Sequence, residues 1–312
     1  MSMKILNYKI LFLLIGMFTL GAFPSRSQSV RESVREALPA FSSISLGGDF
    51  SMEIRYGKQF SARLNVEDIF AEYVRFNVAD STLTVELDER KVPMDVKKRF
   101  RAKDGTATFR IIVTMPEYLR TLRLQDRATL LAADDLVVAA SGVDIRVTDN
   151  ARIAQFAFGG SRVNLEMDRK AEASLNISCD SLKVLLGGSA SLTLEQHALA
   201  SALDVSGSAE LLLKGAAKSM DFSAKGSSKS ILNGVVPAVS YQVSGMANVN
   251  AVALEAERAQ VVMSGLCTLV QSASEELTVD LGTGASLSFQ NQPAIRVVQI
   301  KNASMLPYEP AR

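Results

Sequence analysis

At 312 residues, 47% hydrophobic and 21% charged, the chain has the composition of a folded protein long enough for an extended core. Its formal net charge of +1 excludes the whole-molecule field that would draw it to nucleic acid. Aromatic residues make up only 6%, Trp is absent, and 19 Gly accompany many Ala and Ser, a set suited to narrow stacked layers rather than to a broad core.

Lys4 and Lys9 precede an apolar run at residues 10–18, and Pro24 and small residues follow it. This is the pattern of a secretory signal peptide over residues 1–27, with a run too short for a convincing membrane span. Ser25 and Ser27 suit cleavage before Gln28, and an uncleaved anchor helix is the alternative. No Cys follows the run, so a lipoprotein anchor is not expected. The reading predicts an exported protein, periplasmic, associated with the outer membrane or at the cell surface, without transmembrane insertion after cleavage.

Residues 28–118 read as an irregular β cap or first irregular coils, with one short helix predicted over residues 30–38. Phe41, Ile44 and Leu46, then Phe50, Met52 and Ile54, then Ala62, Leu64 and Val66 alternate with polar residues at hairpin spacing. So do Val74, Phe76 and Val78, then Leu83, Val85 and Leu87 across a polar turn. Between residues 88 and 104 the alternation gives way to seven basic residues and four acids. Lys97, Lys98, Arg99 and Arg101 from that run are candidate ligands for an anionic polymer, and a solvated hairpin extension is the plainer reading.

Residues 119–290 repeat one unit: two apolar residues flanking a polar one, a small-residue bend, then Ala or Cys. The apolar residue before the bend is Leu124, Val147, Met167, Leu186, Val205, Phe222, Val243, Met263 and Leu281. Four residues on stand Ala128, Ala151, Ala171, Ala190, Ala209, Gly226, Ala247, Cys267 and Ala285, which recur every 20 residues or so, a solenoid period. Alternation at every second position is that of a strand with one buried face. Ser206-Gly207-Ser208 and its equivalents suit a tight bend. One such unit cannot bury its own inner face. Stacking the units at about 4.8 Å pairs every strand above and below and closes a dry interior. The fold predicted is all-β: a parallel β-helix, right-handed by the general preference of parallel crossovers, with a capping tail at residues 291–312 in which Pro293 precedes a last strand over residues 295–300 and the prolines after it, Pro307 and Pro310, close the end against further pairing.

Phe41-Ser42-Ser43-Ile44 with Gly47-Gly48-Asp49-Phe50, the Ser81-Thr82-Leu83-Thr84-Val85 strand, Ile112-Val113-Thr114-Met115-Pro116 and the Ser-Gly-Ser-Ala bends together resemble the putative auto-transporter adhesin, head GIN domain family. The resemblance spans roughly residues 41–290. It implies an exported β-helical protein of Bacteroidetes type with an adhesive role and no catalytic residues to carry over. The chain departs from the pattern at the bends Asp126-Arg127, Asp149-Asn150 and Arg169-Lys170.

Asp204 and Asp221 fall at the same outward position of successive repeats, an arrangement open to calcium or to glycosidic chemistry. The column they share also holds Arg123, Arg146, Glu166, Leu185, Gln242, Val262 and Asp280, which reads as a mixed solvated face. Cys179 and Cys267 lie four coils apart, too far for a disulfide, and read as small buried hydrophobes. The chain shows no zinc-ligand cluster, nucleophile elbow or phosphate loop. Outward residues such as Thr129, Arg152, Glu172 and Glu210 argue against a lipid-facing barrel. The sequence therefore predicts no catalytic residue, cofactor or metal. Its candidate binding residues are Asp204, Asp221, Lys97, Lys98, Arg99 and Arg101, with polysaccharide or another surface component as partner. A β-helix lyase or hydrolase and a structural spacer are the competing readings.

Overall fold

A strand with one apolar face is stable only when that face is covered and both its edges are paired, and a coil of such strands meets both needs by stacking. In the computed structural model, which describes residues 30–97, 109–115, 119–131, 137–139 and 142–309, the chain is 69% strand and 4% helix. It forms a β-solenoid of about 9 turns with roughly 19 residues per turn.

The first strands are β1 (Val30–Arg35), β2 (Ser43–Leu46), β3 (Ser51–Tyr56), β4 (Ser61–Glu67), β5 (Val74–Ala79), β6 (Thr82–Leu87), β7 (Phe109–Met115), β8 (Thr121–Leu124) and β9 (Thr129–Leu130). The chain doubles back on itself here. Strand β2 lies between β6 and β8, parallel to both, and β3 lies likewise between β7 and β9. The coil built from β6 and β7 is thus the outermost, and β5 and β4 pair with it antiparallel. Strand β1 adds antiparallel to β4 from Val30↔Glu67 to Arg35↔Ala62. The helix expected over residues 30–38 is therefore this strand. An isolated helix of that length is marginal in water, and the free edge of β4 supplies a pairing partner for residues 30–35. Aromatic side chains concentrate in this cap: Phe109 meets Phe50 at 5.2 Å and Phe70 at 5.3 Å between ring centroids.

The regular coils follow, in β10 (Val137–Ala139), β11 (Val143–Val147), β12 (Arg152–Met167), β13 (Glu172–Leu186), β14 (Ser191–Val205), β15 (Glu210–Ala224), β16 (Lys229–Val235), β17 (Ala238–Gly245), β18 (Asn248–Gly265), β19 (Thr268–Leu281), β20 (Ser286–Gln290), β21 (Ala294–Ile300) and β22 (Ser304–Pro307). Adjacent coils pair in parallel throughout. Val205, Ala209 and Leu211 face the dry interior, and Glu210 faces out. At each bend one residue takes a left-handed conformation: Asp126 at φ 61°, Asp149 at 67°, Arg169 at 63°, Gly207 at 72° and Gly226 at 74°. The residue after it donates its N–H one coil down, as Asn150 does to the Asp126 carbonyl at 2.8 Å and Ser208 to that of Gly188 at 2.7 Å. The three bends that depart from Ser-Gly thus keep the backbone of those that do not.

The sixth repeat differs from the sequence reading. Val205 pairs with Ala224, and Glu210 with Lys229, so the bend is flanked by Ala224 and Ser228 rather than by Phe222 and Gly226. Ser228 stands between Ala209 and Ala247, 19 residues from each. Strand alternation has a period of two, so sliding a repeat by two residues preserves its apolar face and leaves the pattern unable to choose. Pro293 precedes β21 and Pro307 ends β22, while β21 itself contains no proline and keeps every backbone donor.

Candidate functional site

The outward positions of the solenoid carry its chemistry, and their character changes along its length. In the first coils they form ion pairs between neighbours: Arg146 with Glu166 at 3.2 Å, Arg152 with Glu172 at 3.2 Å, and Arg169 with Asp149. Partial burial works to raise the pKa of Asp149, but bonds from Thr148 and Arg169 outweigh it and hold the carboxyl below its ordinary range. Further on, amides and hydroxyls join the charges on the side formed by the second half of each long strand.

That side carries a groove. One stretch of about 550 Å³ is lined by Lys183, Leu185, Asp204, Asp221, Ser223 and Gln242 among others. It shares Asp221 and Ser240 with a second stretch of about 340 Å³ that reaches Arg258, Gln260 and Thr278. The second shares Arg258 and Glu276 with a third that ends at Arg296. One outward position runs the whole way, through Lys183, Ala202, Asp221, Ser240, Gln260, Thr278 and Arg296 on seven successive strands. At about 4.8 Å per coil the groove is about 29 Å long.

Asp204 and Asp221 both line this groove, though not in one column. Asp204 pairs with Leu185 and Ser223, whereas Asp221 pairs with Ala202 and Ser240. The shift of the sixth repeat separates them by one coil and two residues, a diagonal of about 8 Å between backbones. Asp204 is held by Lys225 Nζ at 3.2 Å, and Asp221 faces solvent at the junction of the first two stretches. Of the basic candidates, Lys97 is half-buried in a single helical turn at residues 94–97, where its N–H meets the Pro93 carbonyl at 3.0 Å. Lys98, Arg99 and Arg101 lie outside the described residues.

Both cysteines are free. Cys267 is buried in the Ala column, with Sγ 3.4 Å from the Val243 carbonyl oxygen. Cys179 pairs with Ala198 on the next coil, one residue along from His197. Burial nonetheless raises the Cys179 thiol above its ordinary pKa, the reverse of what an activated nucleophile needs. Among the described residues no group of three His, Cys, Asp or Glu is placed to hold a metal ion, and no helix is long and apolar enough to cross a membrane. Ser240, Gln260 and Thr278 were not singled out from sequence. Their signal was the turnover of one outward column from charged to uncharged polar residues, visible only once the sixth repeat is in register.

The fold is a parallel β-solenoid with a polar groove along one side. The chain belongs to the family described as Putative auto-transporter adhesin, head GIN domain, which it matches over residues 40–211 and 182–293. Among solved structures it is similar to a putative adhesin from Parabacteroides merdae, with TM-score 0.54 and 14% identity over 91% of this chain and 98% of that one. A putative adhesin from Parabacteroides distasonis gives TM-score 0.52 and 14% identity over 90% and 98%. At that identity the likeness is one of fold. No curated protein matches the sequence.

Proposed function

We propose that this protein is an exported, noncatalytic envelope or surface protein that binds polysaccharide in the groove running from Lys183 to Arg296. The carrying observation is the groove's lining: Asp221, Ser240, Gln260 and Thr278 set a carboxylate, a hydroxyl, an amide and a hydroxyl at one outward position of four successive coils. A row of donors and acceptors at that spacing matches the repeated hydroxyls of an extended glycan, and the exposed apolar Leu185 and Val262 offer surface for sugar ring faces. The basic residues are interspersed with acids, which disfavours a purely anionic polymer. Export is supported by the signal-like pattern of residues 1–27 and by the family.

The lyase or hydrolase reading is less well supported. A general acid is kept protonated by an apolar enclosure, whereas Asp204 is tied to Lys225 and Asp221 is open to water. A glycan array combined with depolymerisation assays on the retained polysaccharides tests the proposal. Binding without cleavage is expected, and turnover that disappears in Asp204→Asn would replace it with the enzymatic reading.

A further inference from the structure

The two ends of the solenoid are finished differently. At the N-terminal end the outermost coil is covered by the antiparallel strands β4 and β5. At the other end, among the described residues, β21 pairs only with β19, and β22 only with β20. The inward positions of β21 continue the core columns: Leu277, Val279 and Leu281 are each 0% exposed, but their partners one coil on, Ile295, Val297 and Ile300, are 44%, 53% and 44% exposed. All seven residues of β21 are exposed, and among the described residues no segment crosses them. Natural solenoids and sheets blunt such an end with inward charges, proline or a covering segment. Strand β21 has none of these on its inward side.

We propose that this end is a homodimer interface, in which two copies meet C-terminal end to C-terminal end about a twofold axis with β21 antiparallel to its counterpart. Three features favour a second copy over another partner. The exposed columns are themselves a slice of solenoid core, so the surface that complements them best is the same slice turned over, which is what an isologous contact supplies. The inward positions carry no charge, so self-pairing brings no like charges face to face; Arg296 lies on the outward side. The antiparallel cap prevents the other end from offering a parallel edge, so the contact closes at two copies instead of growing into a filament. A coil of about 19 residues at about 3.3 Å each presents an end that would bury on the order of 1,000 Å² in total, near the lower limit for a specific interface. Because β21 is also the last rung of the groove, the pairing would join two grooves end to end across the axis.

Sedimentation velocity and light scattering across a wide range of concentration test the proposal on the whole chain. The parent is expected to shift from monomer to dimer as concentration rises. Val297→Glu, at a position already exposed in the monomer, sets like charges opposite each other across the axis and should weaken dimerisation more than about tenfold, with circular dichroism unchanged. Val298→Cys, in a Cys179→Ser background, should form an intermolecular disulfide, and Leu199→Cys on the side of a middle coil should not. A parent that stays monomeric at high concentration, or a dimer that Val297→Glu leaves intact, would overturn the proposal.

Discussion

Ser230 stands where the coils on either side place Leu211 and Val249. It is buried, and its hydroxyl has no hydrogen-bond partner among the described residues. An unmet buried hydroxyl costs about 1 to 3 kcal/mol, and the neighbouring coils hold Leu and Val at the same position. Ser230→Val should therefore stabilise the protein by about 1 to 2 kcal/mol, read as a higher denaturation midpoint with unchanged slope. The inward and outward assignment has its own test. Leu211→Asp puts an unpaired charge in the dry interior and should cost about 3 kcal/mol or more. Glu210→Ala, which loses only an exposed pairing with Lys229, should cost less than about 0.5 kcal/mol. Comparable losses in the two variants would mean the faces are exchanged. These assignments were legible from the sequence because alternation fixes the face of every residue. The offset that puts Asp204 and Asp221 in different columns was not, because two-residue slips leave the alternation intact.

The bend is the element on which the stacking depends. A Cβ on Gly207 would come within 2.6 Å of the Gly188 carbonyl oxygen one coil away, in a conformation with φ 72°. Both the close approach and the left-handed backbone oppose a side chain, so Gly207→Ala should destabilise by about 1 to 3 kcal/mol. Chemical denaturation measures it, and a loss within error of zero would show that the bends tolerate a Cβ. Asp126, Asp149 and Arg169 hold the same conformation without glycine, and at Asp149 the ion pair with Arg169 helps keep it. The bends could be read from Ser-Gly-Ser in the middle coils, whereas in the first coils only the spacing marked them. The cap was harder still. That β2 lies between β6 and β8 is a long-range pairing with no local signature, and β1 became a strand because of the edge it meets rather than because of its own residues.

At the scale of the whole molecule, a solenoid turns a repeat in sequence into a column in space, so one substitution on a groove rung is felt at a known height along the axis. The architecture was legible for that reason: period and alternation are both one-dimensional signals. The groove was not, since it arises from the side-by-side placement of outward residues about 20 positions apart, and one misplaced repeat breaks the column in the middle. The groove also gives the account its most exposed claim. Ser240 lines both the first and the second stretch of that groove, and a large ring there would fill the channel without entering the core. The decisive measurement is glycan binding by the parent, by Ser240→Trp and by Glu210→Ala on another side of the coil, side by side on one array. The account predicts that the parent and Glu210→Ala retain the same glycans and that Ser240→Trp loses them; a parent that retains none, or a Ser240→Trp variant that binds as the parent does, would contradict it.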